Sequence, residues 1–262
     1  MNRLVKAAGI ALLLLLAVSL SVEIALRTIP IHVYDGFESS PLSWTRWTRW
    51  RFVPGAVVPE HTVVRSGHGA LAITVRDNDR YEAASEEGAA TERDELMEAW
   101  WVFSRPGRTY AYSFSLYIPE DFPQTSERLV IAQWKQACWH CHPDNPVLAI
   151  RYDSGRLRVT RRDERHSQEL YRGDEDVRGR WLDFRFVIRF EETEQGSVDA
   201  TLDGQTIIHY RGPTVYRPPR GHRLNGLVYF KTGLYRDALG EPPWTIYVDE
   251  YRKDQCPAGG CQ

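Results

Sequence analysis

The sequence predicts an all-β protein, an antiparallel two-sheet sandwich of the jelly-roll type. From residue 33 onward, short apolar or alternating segments are separated by turn residues, and helical periodicity nowhere extends beyond about three turns after the N-terminal segment. Many strands without crossover helices between them pair as antiparallel sheets. The 262 residues, 42% hydrophobic and 12% aromatic, suffice for one large core and exclude a disordered or collagen-like chain.

The first residues of the chain are predicted to lie outside this fold. Arg3 and Lys6 precede an apolar run over residues 7–22, the pattern of a secretory signal, and the run is shorter than the roughly 20 residues that span a bilayer. We therefore expect residues 1–28 to be a signal peptide or an uncleaved membrane anchor, and any membrane contact to run through them. The rest of the chain is then secreted, periplasmic or anchored at the outer face of a membrane.

One domain is expected over residues 32–254, because no linker or repeat interrupts the strand pattern. Segments 110–118 and 181–190 alternate apolar residues with polar or charged ones, as half-buried strands do. Asp203-Gly204 is a strong signal for a hairpin turn. The predicted strands are 71–75, 110–118, 129–134, 147–152, 156–160, 181–190, 198–202, 206–210, 226–235 and 244–251.

Four cysteines lie in two close pairs, and export makes disulfides their expected state. Cys138 and Cys141 form a CxxC motif, and Cys256 and Cys261 lie in a tail over residues 255–262. Local bridges and one bridge that ties the tail to the CxxC loop both stay open.

The CxxC loop also raises the question of a cofactor. It continues to His142 and so matches the attachment motif of c-type haem, and the same cysteines and histidines could hold zinc. A single short motif in a β-rich pattern favours disulfides over either group, so no cofactor is expected. Calcium is left open, although no Asp-rich loop indicates a site for it.

The charge pattern gives no sign of a nucleic-acid partner, and we expect a monomer. The chain has 33 Lys+Arg against 35 Asp+Glu, a formal charge of −2, and so lacks a basic excess. Segment 156–180 is rich in arginine, yet acidic residues are interleaved with the basic ones, which favours a solvated strand edge with salt bridges over an anion-binding strip. Its arginines are Arg156, Arg158, Arg161, Arg162, Arg165, Arg172, Arg178 and Arg180.

Three short strings, which lie on predicted strands or run into an apolar strand, are suited to carry chemistry. They are Arg93-Asp94-Glu95-Leu96, Gln133-Trp134-Lys135 and the string over residues 229–236. Four residues of the third string share one face of a strand, namely Tyr229, Lys231, Gly233 and Tyr235. The glycine is expected to leave room for a ligand near the backbone. A sheet face that presents Arg, Gln, Lys and Tyr side chains suits a polyanionic sugar.

In this order, the three strings resemble the strand motifs of jelly-roll alginate lyases, which read R-x-E-L, Q-x-H and Y-F-K-x-G-x-Y. The whole run over residues 35–249 is more similar to the heparin lyase I and glucuronan lyase group. The resemblance implies a concanavalin A-like jelly roll and an enzyme that cleaves a uronic-acid polysaccharide by β-elimination. It leaves open whether the polymer is glucuronan, alginate, a heparin-like chain or a bacterial exopolysaccharide.

The resemblance also implies roles for individual residues. Arg93 and Gln133 would neutralise the uronate carboxylate, and Tyr235 would protonate the departing oxygen. A base role for Tyr235 needs a neighbouring cation, and Lys231 is favoured over Arg236 because it shares the face of Tyr235. The residues expected to bind substrate around these catalytic residues are Lys135, Tyr229, Arg236, Glu95, His140 and His142.

One departure from the family pattern bears on the base. Lys135 stands where the family motif has a histidine, and a lysine binds carboxylate well but is a poor base. His140 or His142 could replace that histidine from the following loop, or Tyr235 could act alone as base and acid.

Three other functions are alternatives to a lyase. A non-catalytic carbohydrate-binding module on the same sandwich is the main alternative, and the missing histidine favours it. A sandwich glycoside hydrolase needs two carboxylates, and the E-x-D-x-x-E strand motif of such enzymes is absent from the sequence. An electron-transfer protein built on the CxxC loop is the least favoured alternative.

Overall fold

The structure is a computed structural model that describes most of the chain. The described residues are 13, 14, 17, 29–40, 42–48, 51–80, 91–139, 145–164, 166–217, 222, 224–238, 240–257, 260 and 261. The chain divides into two compact units, Met1–Ile31 and His32–Gln262. Nearly all of the predicted signal or anchor segment lies outside the described residues. Within the described part, no helix has the length and apolar character needed to cross a bilayer.

The described part of the second unit consists of fifteen strands and one short 3-10 helix, Trp100–Val102. The strands are β1 His32–Asp35, β2 Trp47–Thr48, β3 Val57–Glu60, β4 Ala70–Val75, β5 Thr91–Glu98, β6 Thr109–Ile118, β7 Leu129–Gln136, β8 Leu148–Asp153, β9 Arg156–Arg162, β10 Ser167–Arg172, β11 Arg180–Arg189, β12 Ser197–Leu202, β13 Gln205–Arg211, β14 Val228–Asp237 and β15 Trp244–Gln255.

These strands form two antiparallel sheets, which confirms the predicted sandwich. The back sheet has the order β13-β12-β11-β6-β15-β4-β3, with β1 also paired to β15. The front sheet has the order β10-β9-β8-β7-β14-β5-β2. Neighbours in each sheet are often distant in sequence, so segments far apart along the chain come to lie side by side.

Aromatic side chains from both sheets fill the space between them. Trp134 of the front sheet packs at 4.7 Å from Phe186 of the back sheet, measured between ring centroids. Phe230 lies 4.9 Å from Phe114 and 5.1 Å from Trp134, and all four rings are buried. Because side chains alternate between the two faces of a strand, an inward Trp134 directs its neighbours in the chain to the outer face of the front sheet.

A buried ion pair also joins the two sheets. Lys253 on β15 donates to Glu98 on β5 at 2.9 Å, and Glu98 accepts further hydrogen bonds from the Tyr251 hydroxyl at 2.5 Å and the Phe230 amide at 2.9 Å. Burial lowers the pKa of Lys253, and the Glu98 carboxylate opposes that shift. The Glu98 carboxylate therefore accepts hydrogen bonds from three residues inside an apolar core.

The cysteines that the structure describes are in disulfides. Cys256 bonds to Cys261 within the tail, and Cys138 is also disulfide-bonded. A disulfide was the expected state of these residues. Cys141, His140 and His142 lie outside the described residues.

Candidate active site

The three strings of the sequence analysis lie on three adjacent strands of the front sheet. Strand β14 runs between β5 and β7. Across these strands, Tyr235 lies opposite Arg93, and Lys231 lies opposite Gln133. Residues paired directly across antiparallel strands point to the same face, so the four predicted catalytic residues meet on the outer face of one sheet.

This face contains a cleft of about 250 Å³. Its lining residues are Arg93, Arg128, Val130, Gln133, Lys135, Asn145, Pro146, Arg151, Lys231 and Tyr235. Five of them are cationic, and none of these lining residues is acidic. A cleft of this composition attracts an anionic ligand. It does not supply the pair of carboxylates that a glycoside hydrolase requires.

Glu95 lies beneath the cleft and holds two of the lining residues. It accepts hydrogen bonds from the Lys231 ammonium at 2.9 Å and from the Gln133 side-chain amide, and its own side chain is 1% exposed. Burial acts to raise the pKa of Glu95, but the attraction and hydrogen bond of Lys231, with Arg93 and Gln133, hold that pKa below its usual value. Glu95 was predicted to bind substrate, whereas in the structure it fixes the side chains that line the cleft.

Tyr235 is half-buried between two guanidinium groups. The Arg93 guanidinium lies 4.4 Å and the Arg128 guanidinium 4.8 Å from the centre of its ring. Arg128 also donates a hydrogen bond to the phenol oxygen at 3.1 Å. The predicted neighbouring cation, Lys231, is paired with Glu95. Arg93 and Arg128 are therefore the cations whose contacts with Tyr235 the structure gives.

Two arginines of the cleft were missed by the sequence analysis. Arg128 directly precedes β7 and forms an ion pair with Asp237 at the end of β14. Arg151 on β8 donates from Nε to the Thr160 hydroxyl at 3.1 Å, and no described carboxylate pairs with it. Burial lowers the pKa of Arg151, and repulsion from Arg158 and Arg128 lowers it further. No motif marks these positions, because they enter the cleft only through strand pairing.

A β-bulge sets the direction of Tyr235. Between Thr232 and Tyr235, β14 carries one more residue than the facing part of β7. Gly233 lies in this bulge with φ +144°, and a Cβ there would lie 2.2 Å from the Asp94 carbonyl oxygen of β5. The glycine therefore permits close packing between strands, and the prediction that it leaves room for a ligand is wrong.

Arg236 is the clearest error among the predicted substrate-binding residues. Its side chain is fully buried, its Nε donates to Glu92 at 2.8 Å, and its guanidinium lies 4.3 Å over the Trp244 ring. The alternation that places Tyr235 on the outer face places the next residue on the inner face. Arg236 therefore belongs to the core of the sandwich.

Lys135 and Tyr229 form a cross-strand pair at one end of the cleft. Lys135, which is predicted to bind substrate, lines the cleft. The Tyr229 ring stacks on Phe103 at 4.9 Å and lies 6.0 Å from the Lys231 ammonium, at the margin of the cleft.

Among the described residues, no group of three or more His, Cys, Asp or Glu side chains is placed to hold a metal ion.

The model of the polysaccharide lyase family matches residues 39–252, a span that includes all three strings and the whole cleft. The chain belongs to the polysaccharide lyase family. The predicted family is thereby confirmed at this level, and so is the prediction of a lyase. The particular likeness to heparin lyase I stays a prediction. No curated protein matches the chain significantly by sequence.

Solved structures share the fold at low sequence identity. The endo-β-1,4-glucuronan lyase from the fungus Trichoderma reesei superposes with a TM-score of 0.63 and 16% identity, covering 86% of this chain and 95% of that one. The catalytic domain of a glycoside hydrolase family 131 protein from Coprinopsis cinerea gives 0.55 at 13% identity, covering 82% and 87%. An alginate lyase of polysaccharide lyase family 7 gives 0.51 at 18% identity, covering 76% and 85%. Hydrolases and lyases thus share this sandwich, and the cleft must decide the chemistry.

Proposed function

We propose that this polysaccharide lyase cleaves a uronic-acid polysaccharide by β-elimination, with Tyr235 as the residue that moves the proton. The observation that carries the proposal is the phenol of Tyr235, held between two guanidinium groups in a cleft lined by five cationic side chains. Such a cleft suits a polymer that bears a carboxylate on each sugar.

The first requirement of the reaction is to reduce the charge of the carboxylate next to the reacting carbon. Arg93 and Gln133 line the cleft on the strands that flank Tyr235. One amide hydrogen of Gln133 is bound by Glu95, and its second hydrogen can be donated to a carboxylate oxygen. Donors held in place before substrate binds stabilise the enediolate that forms when the proton at C5 is removed.

The second requirement of the reaction is the transfer of a proton from C5 to the leaving oxygen, O4. As phenolate, Tyr235 takes the proton from C5, the electrons of that bond form the C4–C5 double bond, and the C4–O4 bond breaks. The phenol then gives the proton to O4 of the leaving chain, and the phenolate is restored. During these steps Arg128 donates a hydrogen bond to the phenol oxygen, and the Arg93 guanidinium lies over the ring.

A single residue can serve as base and acid only where both reacting groups lie on its side of the sugar. In D-glucuronate and D-mannuronate, the hydrogen at C5 and the oxygen at C4 lie on the same side of the ring. In L-guluronate and L-iduronate they lie on opposite sides. We therefore propose D-glucuronate or D-mannuronate at the cleaved position, and Lys135 as a carboxylate ligand rather than the base.

We also propose that the enzyme is exported. The secretory pattern of the N-terminal segment supports export, because a large polyanion is met outside the cell membrane. We propose that the exported domain acts as a monomer on an acidic polysaccharide.

The test incubates the full-length protein with glucuronan, polymannuronate, polyguluronate or heparin. It measures the ultraviolet absorbance of the unsaturated uronate that elimination forms. We expect absorbance to grow on glucuronan or polymannuronate, and Tyr235→Phe to lower the rate at least about a hundredfold. Tyr34→Phe is the matched control, because Tyr34 lies on β1 of the back sheet and also has a hydroxyl bonded to a charged side chain, Glu250, at 3.1 Å.

The control variant is expected to keep the wild-type rate. A polymer that binds tightly without any growth of absorbance would contradict the proposal and identify a carbohydrate-binding module. Cleavage confined to polyguluronate would contradict the role of Tyr235 as both base and acid.

A further inference from the structure

A row of paired residues runs across the front sheet, perpendicular to its strands. Tyr235 on β14 lies opposite Arg93 on one side and Val130 on the other. From Val130 the pairing continues strand by strand through β8, β9 and β10. The row, here called the transverse row, is Arg93, Tyr235, Val130, Arg151, Arg158 and Arg172.

Three bulges bring these residues into one line. The register shifts in three strand pairs at or next to the residues of the row. These pairs are β14 with β7, β7 with β8, and β10 with β9. A shift of one residue moves a side chain to the other face of a sheet, so the bulges decide that Arg151 and Arg172 face the same side as Tyr235. At about 4.8 Å between strands, the row extends about 24 Å from Arg93 to Arg172.

Positive charge exceeds negative charge along the outer part of the row. Arg158 bonds to Glu169 at 2.6 Å and to Asp153 at 3.3 Å, and Arg172 bonds to Glu169 at 2.8 Å. Two carboxylates thus face three guanidinium groups, and Arg151 pairs with neither of these carboxylates. The pairs at Arg158 and Arg172 are partly or largely exposed, and exposed ion pairs are weak in water, so a carboxylate of a ligand can replace them.

We propose that Arg151, Arg158 and Arg172 bind carboxylates of the polymer beyond the sugar that is cleaved, so that the substrate lies across the strands of the front sheet. This inference rests on the proposed cleavage of a polyuronate. A chain of linked pyranoses has a repeat close to one strand spacing, so a polymer that crosses the sheet brings its successive sugars to successive strands. Guanidinium groups bind carboxylate oxygens through two parallel hydrogen bonds, which fixes the position of the chain. The arginine-rich segment 156–180, predicted to be a solvated strand edge, thereby takes part in binding.

The test compares two exposed arginines on the edge strands of the two sheets. Arg172 lies on β10, is 53% exposed and pairs with Glu169 at 2.8 Å. Arg211 lies on β13, is 51% exposed and pairs with Asp199 at 2.9 Å. The variants Arg172→Ala and Arg211→Ala therefore remove the same charge and the same kind of ion pair, on opposite sides of the sandwich.

We expect Arg172→Ala to raise the KM for a long polymer roughly three- to tenfold, with a smaller rise for the shortest oligosaccharide that is cleaved. Arg211→Ala is expected to leave both values at the wild-type level. A second measurement uses the Tyr235→Phe background, in which the polymer stays intact. There, Arg172→Ala is expected to weaken polymer binding and to reduce its dependence on salt concentration.

The outcomes separate this inference from the proposed function. If the wild-type protein cleaves a polyuronate and Arg172→Ala behaves like Arg211→Ala in both measurements, the transverse row is not a binding surface and the inference is wrong. If no polyuronate is cleaved by the wild-type protein, the proposed function is wrong. Equal losses on the polymer and on the shortest oligosaccharide would also contradict a role beyond the cleaved sugar.

Discussion

At the scale of single residues, Glu95 organises the centre of the cleft. Its carboxylate binds the Lys231 ammonium and the Gln133 amide, which are paired across β14 and β7. Lys231 is 3% exposed, so the ion pair is shielded from water on both sides. A single carboxylate therefore fixes a cation and an amide that face the ligand.

The variant Glu95→Gln tests this positioning role. Breaking one partner of a buried ion pair leaves the other charge uncompensated, so we expect the free energy of unfolding to fall by about 3 kcal/mol and cleavage to slow. Urea denaturation and the absorbance assay measure the two effects.

The double variant Glu95→Gln/Lys231→Met is the control for this pair. It removes both charges, so stability is expected to recover while cleavage stays slow. An unchanged rate in the stable double variant would show that the pair contributes to folding alone.

Residue-scale prediction succeeded where strand alternation was applied and failed where it was not. Alternation placed Lys231 and Tyr235 on one face, as the structure has them. Applied one residue further, it also places Arg236 in the core, where Glu92 neutralises it. Arg128 and Arg151 had no motif to mark them, because a lone arginine in a strand gives no signal until its cross-strand neighbours are known.

At the scale of elements, β5 carries a carboxyl group whose ionisation opposes folding. Asp94 accepts a hydrogen bond from the Val53 amide at 2.7 Å. Burial, with a smaller contribution from the Asp79 carboxyl, raises the pKa of Asp94 from 3.8 to about 8, against the opposing effects of the Val53 amide and Arg76. The folded protein therefore keeps a proton that the unfolded chain releases between these two values.

Because of this difference in bound protons, the free energy of unfolding depends on pH. Between about pH 4 and about pH 8 the folded state binds more protons, so the free energy of unfolding falls as pH rises, by at most about 1.4 kcal/mol per pH unit from this group. Denaturation at a series of pH values is expected to show this fall, and Asp94→Asn is expected to flatten it. Asp77→Asn, an exposed position in the preceding turn, is the control. A slope that survives in Asp94→Asn would contradict the assignment.

The strands could be predicted from sequence, but their bulges could not. Alternation and turn residues located most strands, including β11 and the β12–β13 hairpin. The short strands β1 and β2 were missed, and so were the edge strands β3 and β10, because short or exposed strands carry little apolar alternation. A bulge depends on the register between two strands, and the role of Gly233 became clear only from its distance to the Asp94 carbonyl on β5.

At the scale of the whole molecule, the charge of the cleft differs from the net charge of the chain. The chain has a formal charge of −2, whereas the described lining of its cleft has five cations and no acid. Net charge argued against a nucleic-acid partner but gave no sign of this local excess. The excess arises because β5, β7 and β14 are neighbours in one sheet, an order set by the topology of the sandwich.

We propose that this protein cleaves by elimination, although hydrolases also adopt the same sandwich fold. Elimination breaks the C4–O4 bond without adding water, whereas hydrolysis transfers a water oxygen to the newly formed chain end. The most direct measurement is mass spectrometry of the oligosaccharides released from glucuronan or polymannuronate in water enriched in heavy oxygen. We expect each new non-reducing end to be unsaturated and no product to gain the heavy isotope through cleavage. Saturated products that carry one heavy oxygen for each bond broken would contradict the account.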